Sequence, residues 1–291
     1  MNSMSMARLP CKIVGMTGEE YRSQNDFFSR SYLHAVASQG GDAQRWMDLG
    51  HPLVNYTNSL KLGTMFDRAI EGVCKGKTLD SMLSIPPPEV LAKDGSRRGK
   101  AYDAWKEEHD SRGLMDCTED TAFQLHSMVE SLMENPIARS LVESTTETQV
   151  SVFFEIDGHR VKARPDGCTP GMWWDLKTTS SKWDRLWRSA VDYGYCEQEW
   201  LYVAGAKAIG YDHFRMPFVF THTSPPYSTK VLFLPDDMVS AAGVRMRHAM
   251  DVSRLRQVTG VYRQEICEIE ELEFPNYAYK KVDEDNDDET V

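Results

Sequence analysis

The sequence predicts an α/β fold: a mixed central sheet flanked by helices, with a helical N-terminal portion. Three observations carry that expectation. Val150, Val152 and Phe154, then Val161 and Ala163, alternate with polar residues on either side of Gly158. A period of two around a glycine turn marks a hairpin. The run Trp173-Trp174-Asp175-Leu176-Lys177 reads as a further strand, and two more strands follow at 214–221 and 229–234. Helical periodicity dominates before residue 143 and returns at 181–209 and 235–257.

The elements follow in chain order. Residues 1–15 are expected to be disordered. Thr17-Gly18-Glu19-Glu20 forms a capping box that opens a short helix. A second helix is expected over 27–37, with Ser29 or Ser31 near its start and a break at Gly40-Gly41-Asp42. A third, over 62–73, carries Asp67. Pro86-Pro87-Pro88 ends the first helical block. Lys93, Arg97, Arg98, Lys100 and Lys106 then cluster with Tyr102 and Trp105. Residues 118–143 are helical, with Pro136 as a kink or a break into two helices. After the strands, residues 181–192 form an amphipathic helix. Lys182, Arg185 and Arg188 cover one face, and Trp183, Leu186, Trp187 and Ala190 the other, which is expected to dock by its tryptophans. In the next helix, 195–209, Tyr195, Gln198 and Tyr202 share a face. Pro225-Pro226 lies in the loop between the last two strands, and a long helix runs from Pro235 through about residue 257. Residues 16–282 are expected to form one domain: a mainly helical part (16–143), a catalytic core (144–235) and a C-terminal helix with its extension (236–282). Residues 283–291 hold six acids and no base, and are expected to be a disordered acidic tail.

Strand side chains alternate faces, so Asp175 and Lys177 point the same way and Leu176 the other. If the strand ending in Arg164-Pro165-Asp166 pairs alongside, Asp166 and Asp175 converge at one sheet end. Hard carboxylates with open positions for water suit Mg²⁺ or Mn²⁺. The candidate metal ligands are Asp166, Asp175, Leu176 (which offers only its main chain), Asp67 and Glu147, the last completing the first site or holding a second metal. Lys177 would orient the attacking water and offset developing charge. Gln198 could bind a phosphate or a terminal nucleotide, and Tyr202 could hydrogen-bond the phosphate or support Lys177. Candidate DNA contacts are Lys182, Arg185 and Arg188 on one segment, with Arg97, Arg98 and Lys100 on the other. Each feature alone is commonplace; the ordered set is not.

That ordered set carries a resemblance. RPDG…WWDLKTT followed by Tyr193-GYCEQEWL-Tyr202 resembles the RecB/RecE-like branch of the PD-(D/E)xK superfamily, in particular the nuclease domain of exodeoxyribonuclease VIII and its phage relatives. The family pattern of Glu, Asp, Asp-x-Lys and Gln-x-x-x-Tyr falls on Glu147, Asp166, Asp175, Lys177, Gln198 and Tyr202. Upstream, MTGEEYRS, FFSRSYLHAVASQG, LKLGTMFDRAIEG and IPPPEVLAKDGSRRGKAYDAWKEE are also similar, so the resemblance spans residues 16–235. It implies a restriction-endonuclease-like fold and a Mg²⁺- or Mn²⁺-dependent, ATP-independent deoxyribonuclease. It further implies 5′→3′ resection of double-stranded DNA ends for recombination, a single-strand annealing protein as partner, and a ring-like homo-oligomer. There is one departure. Where the relatives carry His in Gly-Thr-x-x-His, this chain has Asp67, itself a competent oxygen ligand. Two rival readings stay open. One is an endonuclease on the same core; the other is a non-catalytic DNA- or partner-binding module with a degenerate site.

Composition sets further bounds. The 291 residues, 41% hydrophobic, suffice for one large domain. No apolar run approaches the roughly 18 residues of a membrane span, and the first residues lack the apolar stretch of a signal peptide. No membrane partner and a cytoplasmic location are therefore expected. A net charge of −11 argues against non-specific coating of DNA, so contact is expected in a local basic groove. No pair of the six cysteines has CxxC spacing, and the tight cysteine group of iron–sulfur relatives is missing, so reduced thiols are expected. Gly76-Lys77-Thr78 is similar to the end of a P-loop, but Glu71 stands where the motif needs glycine. No nucleotide cofactor is expected.

Overall fold

The computed structural model describes residues 8–53, 57–212 and 215–262. The chain opens with β1 (Cys11–Ile13), α1 (Gly18–Arg22), β2 (Phe28–Ser29), α2 (Arg30–Asp48) and α3 (Asn58–Cys74). Next come β3 (Leu83–Ser84), α4 (Lys100–Ser111), β4 (Met115–Asp116), α5 (Glu119–Glu134) and α6 (Pro136–Glu143). The core strands are β5 (Glu147–Thr148), β6 (Ser151–Ile156), β7 (His159–Ala163), β8 (Gly167–Cys168) and β9 (Trp173–Thr179). They are followed by α7 (Leu186–Asp192), α8 (Tyr195–Ala208), β10 (Phe218–His222), β11 (Thr229–Leu232) and α9 (Asp236–Thr259). The expected C-terminal extension beyond residue 262 and the acidic tail lie outside the described residues.

β3 and β4 pair in parallel as a small two-stranded sheet, and the other strands divide between two larger sheets. One has the order β11-β10-β9-β8-β5, and the other β1-β6-β7-β2. In the first, β9 and β10 are parallel and the remaining pairs antiparallel, so the sheet is mixed. Within the core strands β5–β9 the chain crosses from one of these sheets to the other twice, between β5 and β6 and between β7 and β8. Asp157 (φ 51°) and Gly158 (φ 81°) make the tight turn of the β6–β7 hairpin.

Strand β9 divides the core. Trp173 belongs to a cluster with Phe218, Phe220, Tyr195 and Leu201 on one face. Trp174 and Leu176 belong to a cluster with Phe66, Leu125 and Val219 on the other. This is the period-two alternation read from the sequence, and it puts Asp175 and Lys177 on the side of α8.

Two expectations are corrected and others are met. Residues 11–13 are ordered as β1, antiparallel to β6 with Cys11 opposite Phe153. Leu9, Cys11 and Ile13 pack against Phe27 and Phe153, an alternation too short to register as a strand signal. The break expected at Gly40-Gly41-Asp42 is present: Gly40 has a non-helical backbone (φ 76°), so α2 is two helices joined across a kink, and Gln44 in the second donates to the Ser253 carbonyl of α9 at 2.9 Å. The 181–192 segment is a single turn of 3-10 helix (Trp183–Arg185) followed by α7. Only one tryptophan docks: Trp183 stacks on His222 with ring centroids 4.3 Å apart, whereas Trp187 is 61% exposed. Pro136 does start a new helix, with Asn135 as its cap. No helix among the described residues is long and apolar enough to cross a membrane.

The N-terminal segment is tied down by Lys162. Its buried ammonium donates to the carbonyls of Tyr21 and Gln24 at 2.8 Å each and of Arg22 at 3.3 Å, the end of α1. This holds β2 beside β7 and so positions the first residue of α2, Arg30.

Candidate active site

The β8–β9 register places Gly167 opposite Trp174. One step further along, Asp166 comes beside Asp175. Asp166 Oδ2 accepts the Leu176 main-chain N–H at 2.7 Å, and its Oδ1 accepts from Gln149 Nε2 at 2.8 Å. Asp175 is buried; its Oδ1 accepts from Gln198 Nε2 at 2.7 Å, and Lys177 Nζ pairs with Oδ2. The Lys177 ammonium lies over the rings of Tyr195 (5.4 Å) and Phe218 (5.8 Å). Arg30 Nη1 donates to the Tyr193 carbonyl at 2.8 Å, and Nη2 reaches Gln198 Oε1 at 3.5 Å. A chain of contacts thus runs Arg30–Gln198–Asp175–Lys177.

Helix α3 closes the cluster from the other side. A Cβ at Gly63 would come 3.2 Å from Thr178 Oγ1, so the start of α3 lies close against β9. One turn on, Asp67 reaches the same field of charge. Burial, opposed by Lys177 and reinforced by the Asp175 and Glu71 carboxylates, pushes the Asp67 carboxyl up to about 7. Burial also raises Asp166 well above the usual range, with Asp175 and Asp67 adding to it. Burial alone would pull Lys177 down, but Asp175 and Asp166 outweigh it and hold the ammonium above its ordinary value. Three carboxylates and one lysine therefore share a site where the acids cannot all ionise at low cost.

That donor set fits a divalent cation. All three groups are hard oxygen donors, and their mutual repulsion is what a bound cation would relieve. Asp67, Asp166 and Asp175, with the Leu176 main-chain carbonyl, are the residues that would hold it. Among the described residues no ready-made group of three or more His, Cys, Asp or Glu side chains surrounds one metal position. Asp175 is instead closed onto Lys177 and Gln198.

Several sequence-based placements change. Glu147 does not join the cluster. It pairs with Lys12 of β1 and lines a cavity of about 480 Å³ that Glu71, Gln149 and Arg164 also line. Two residues nearer the strand bend, Gln149 takes the position beside Asp166. Tyr202 does not support Lys177: its hydroxyl donates to the Arg164 carbonyl at 3.1 Å, and Tyr195 carries the lysine instead. Arg97 pairs with Asp116 of β4 at 3.3 Å and Arg98 with Asp94 in the loop before α4 at 2.6 Å, and Lys100 is the exposed first residue of α4. Lys182, Arg185 and Arg188 are exposed, and Arg188 lies 5.2 Å over the Trp187 ring. Sequence reasoning missed Arg30, Gln149 and Glu71. Only Glu71 had a signal, four residues from Asp67 on one helix face.

A family model described as a PDDEXK-like domain of unknown function (DUF3799) matches residues 23–269. No curated protein matches the chain. Among solved structures, a protein from Eubacterium rectale assigned as an exonuclease is similar at 16% identity, over 90% of this chain and 96% of that one, with a TM-score of 0.58. A phage-related exonuclease from Haemophilus somnus 129PT shares 11% identity over 81% of this chain and 96% of its own, with a TM-score of 0.33. An alkaline exonuclease from Laribacter hongkongensis shares 14% over 59% and 86%, with a TM-score of 0.28. The family match takes in every strand except β1 and every residue of the carboxylate–lysine cluster, and the chain belongs to this PDDEXK-like family, with the restriction-endonuclease-like α/β fold of PD-(D/E)xK nucleases.

Proposed function

We propose that this protein is a divalent-metal-dependent, ATP-independent deoxyribonuclease that degrades double-stranded DNA from its ends. The observation that carries the reading is the single cluster of Asp67, Asp166, Asp175 and Lys177, backed by Gln198 and Arg30. A bound Mg²⁺ or Mn²⁺ supplies a Lewis acid for a phosphate oxygen and lowers the pKa of a water. The chain's own groups do the rest. In the metal-free site its carboxylate neighbours hold the Lys177 ammonium above its ordinary value, and its role is that of a donor that orients water or phosphate. Gln198 fixes the Asp175 carboxylate by one hydrogen bond and presents its carbonyl to Arg30. The Arg30 fork, anchored by one nitrogen on the Tyr193 carbonyl, turns its other nitrogen toward the site, where a phosphate oxygen would bind it more strongly than the long contact to Gln198. The exposed cations of Lys182, Arg185 and Arg188 border the helix that leads into Gln198 and are assigned to the DNA backbone.

The 5′→3′ polarity, the single-strand annealing partner, the ring-like homo-oligomer, a role in recombination and a cytoplasmic setting are part of the same proposal and rest on the sequence resemblance. The test is digestion of end-labelled linear duplex beside a covalently closed circle, with Mg²⁺ and no ATP and with Lys177→Ala as control. Loss of the linear substrate alone, with release of the 5′ label first, is the expected result. Cleavage of the circle would replace the exonuclease by an endonuclease. Inertness toward both, in Mn²⁺ as well, would leave a binding module. Sedimentation of the intact chain checks the oligomer.

A further inference from the structure

The run from Glu147 to Ile156 leaves one sheet and enters the other at Gln149, whose φ is +52°. Glycine adopts such a backbone at no steric cost, while an L-residue pays roughly 1–2 kcal/mol. Glutamine is an unfavourable choice for the bend alone. Its side chain, however, spans two groups. Nε2 donates to Asp166 Oδ1 at 2.8 Å, and Oε1 accepts from Arg164 Nε at 3.0 Å. Its main-chain N–H also donates to the Asp166 carbonyl at 3.2 Å. The amide can point only one way. Arg164 has donors and no acceptor, so it selects the oxygen and leaves the NH₂ for the carboxylate.

Arg164 is itself held. Nη1 donates to Ser151 Oγ at 2.8 Å, its guanidinium lies 5.6 Å over the Tyr21 ring, and its carbonyl accepts from Tyr202. The rigid member is therefore the arginine, and the adjustable carboxylate is aligned to it through the glutamine. We propose that Gln149 is a positioning residue: it fixes the Asp166 carboxylate so that Oδ2 stays on the Leu176 N–H and the group faces Asp67 and Asp175. The role rests on the reading of Asp166 as a metal ligand. The competing role is that of a strut that merely shapes the bend.

Two variants of the full chain separate these. Gln149→Gly relieves the backbone and deletes the side chain. Gln149→Met keeps the length and removes both hydrogen-bonding ends. Each is measured well below its own melting temperature by Mn²⁺ calorimetry, and by kcat and KM on linear duplex. A positioning role predicts that both bind Mn²⁺ about 10- to 100-fold more weakly, with a similar fall in kcat and KM within about threefold, the size of effect seen when partners of metal ligands are removed. Gln149→Gly should meanwhile melt within a few degrees of the parent. Wild-type Mn²⁺ affinity and turnover in either variant would overturn the proposal. So would a large loss of melting temperature with metal affinity intact, which is the signature of a strut, and so would failure of the parent itself to bind Mn²⁺. If the parent binds Mn²⁺ but cuts no DNA, the nuclease reading fails while the Mn²⁺ titration still decides the role of Gln149.

Discussion

Asp67→Asn should stabilise the metal-free protein and weaken its response to metal. Burial and neighbouring carboxylates move the Asp67 carboxyl from 3.8 to about 7 in the folded state. The folded protein thus binds this proton more tightly than the unfolded chain between those values. The sign follows from linkage: the contribution to stability is full below pH 4 and is lost as pH rises through 7. At roughly 1.4 kcal/mol per pH unit, the ionised form costs at most about 4 kcal/mol at pH 8. Asp67 is partly exposed, and relaxation with local water reduces this to roughly 1–3 kcal/mol. Asparagine keeps the shape and carries no such cost. In EDTA at pH 8 the variant should therefore melt about 2–12 °C above the parent, at roughly 2–4 °C per kcal/mol for a chain of this size. The gap should close as pH falls to 4. With Mn²⁺ the order reverses: the parent gains about 2.7 kcal/mol at a hundredfold excess over its Kd, and the variant gains less. Differential scanning fluorimetry across pH, with and without Mn²⁺, reads all of this. A variant less stable than the parent in EDTA at pH 8, or a difference independent of pH, would refute the electrostatic argument. An equal Mn²⁺ shift in both would remove Asp67 from the site.

Other outcomes are expected from the same geometry. Lys177→Ala should abolish cleavage, while a gel shift of linear duplex in Ca²⁺ changes little, because the lysine acts on the reacting phosphate and not on the DNA backbone; normal turnover would overturn its assignment. Arg30→Ala should weaken binding of a DNA end about tenfold or more, and Arg30→Lys should recover only part of it, since an ammonium lacks the planar fork that holds the Tyr193 carbonyl and a phosphate together; full recovery in competition binding would mean that charge alone suffices. Lys162→Met should cost about 2–4 kcal/mol in urea unfolding, because it strips a charged donor from three carbonyls at the end of α1. Limited proteolysis of that variant should cut first before residue 29, and an unchanged digest would argue against the tether.

What was legible in the sequence was what depends on short range. Asp175 and Lys177 share a face because strands alternate, and Pro136 divides two helices because it cannot continue one. Tyr195, Gln198 and Tyr202 lie on one face of α8 as helical spacing requires, although only the first two attend the Asp175–Lys177 pair. The errors came from partners distant in sequence. Glu147 and Gln149 are two apart in a run whose alternation reads as one strand, and nothing local says which meets Asp166. The choice is made by a positive φ at Gln149 and by Lys12, which captures Glu147 from a strand that the sequence did not betray. Arg30 is one of 33 basic residues, and its role arises only when Lys162 ties the N-terminal segment beside β7. Trp187 was misplaced because an amphipathic pattern assigns a face to the core without saying how wide the contact is.

The position of the carboxylates follows from where the ladder stops. Strand β8 pairs with β9 over two residues, Gly167 opposite Trp174 and Cys168 opposite Trp173. A third rung would set Asp166 main chain against Asp175. It does not form: the Asp166 carbonyl accepts from the Gln149 N–H instead, and the next residue along, Pro165, has no N–H with which to resume the ladder. The neighbouring groups find other partners. The Asp175 N–H turns to the Pro217 carbonyl on the opposite side, and the Leu176 N–H is taken by the Asp166 carboxylate itself. One missing rung thus brings an acidic side chain into the gap between two strands and leaves it facing a second acid, at the crossing where β7 passes into the other sheet. The missing rung is, in this chain, what opens the sheet for the site, and the glutamine at the matching bend is what keeps the Asp166 carboxylate aimed.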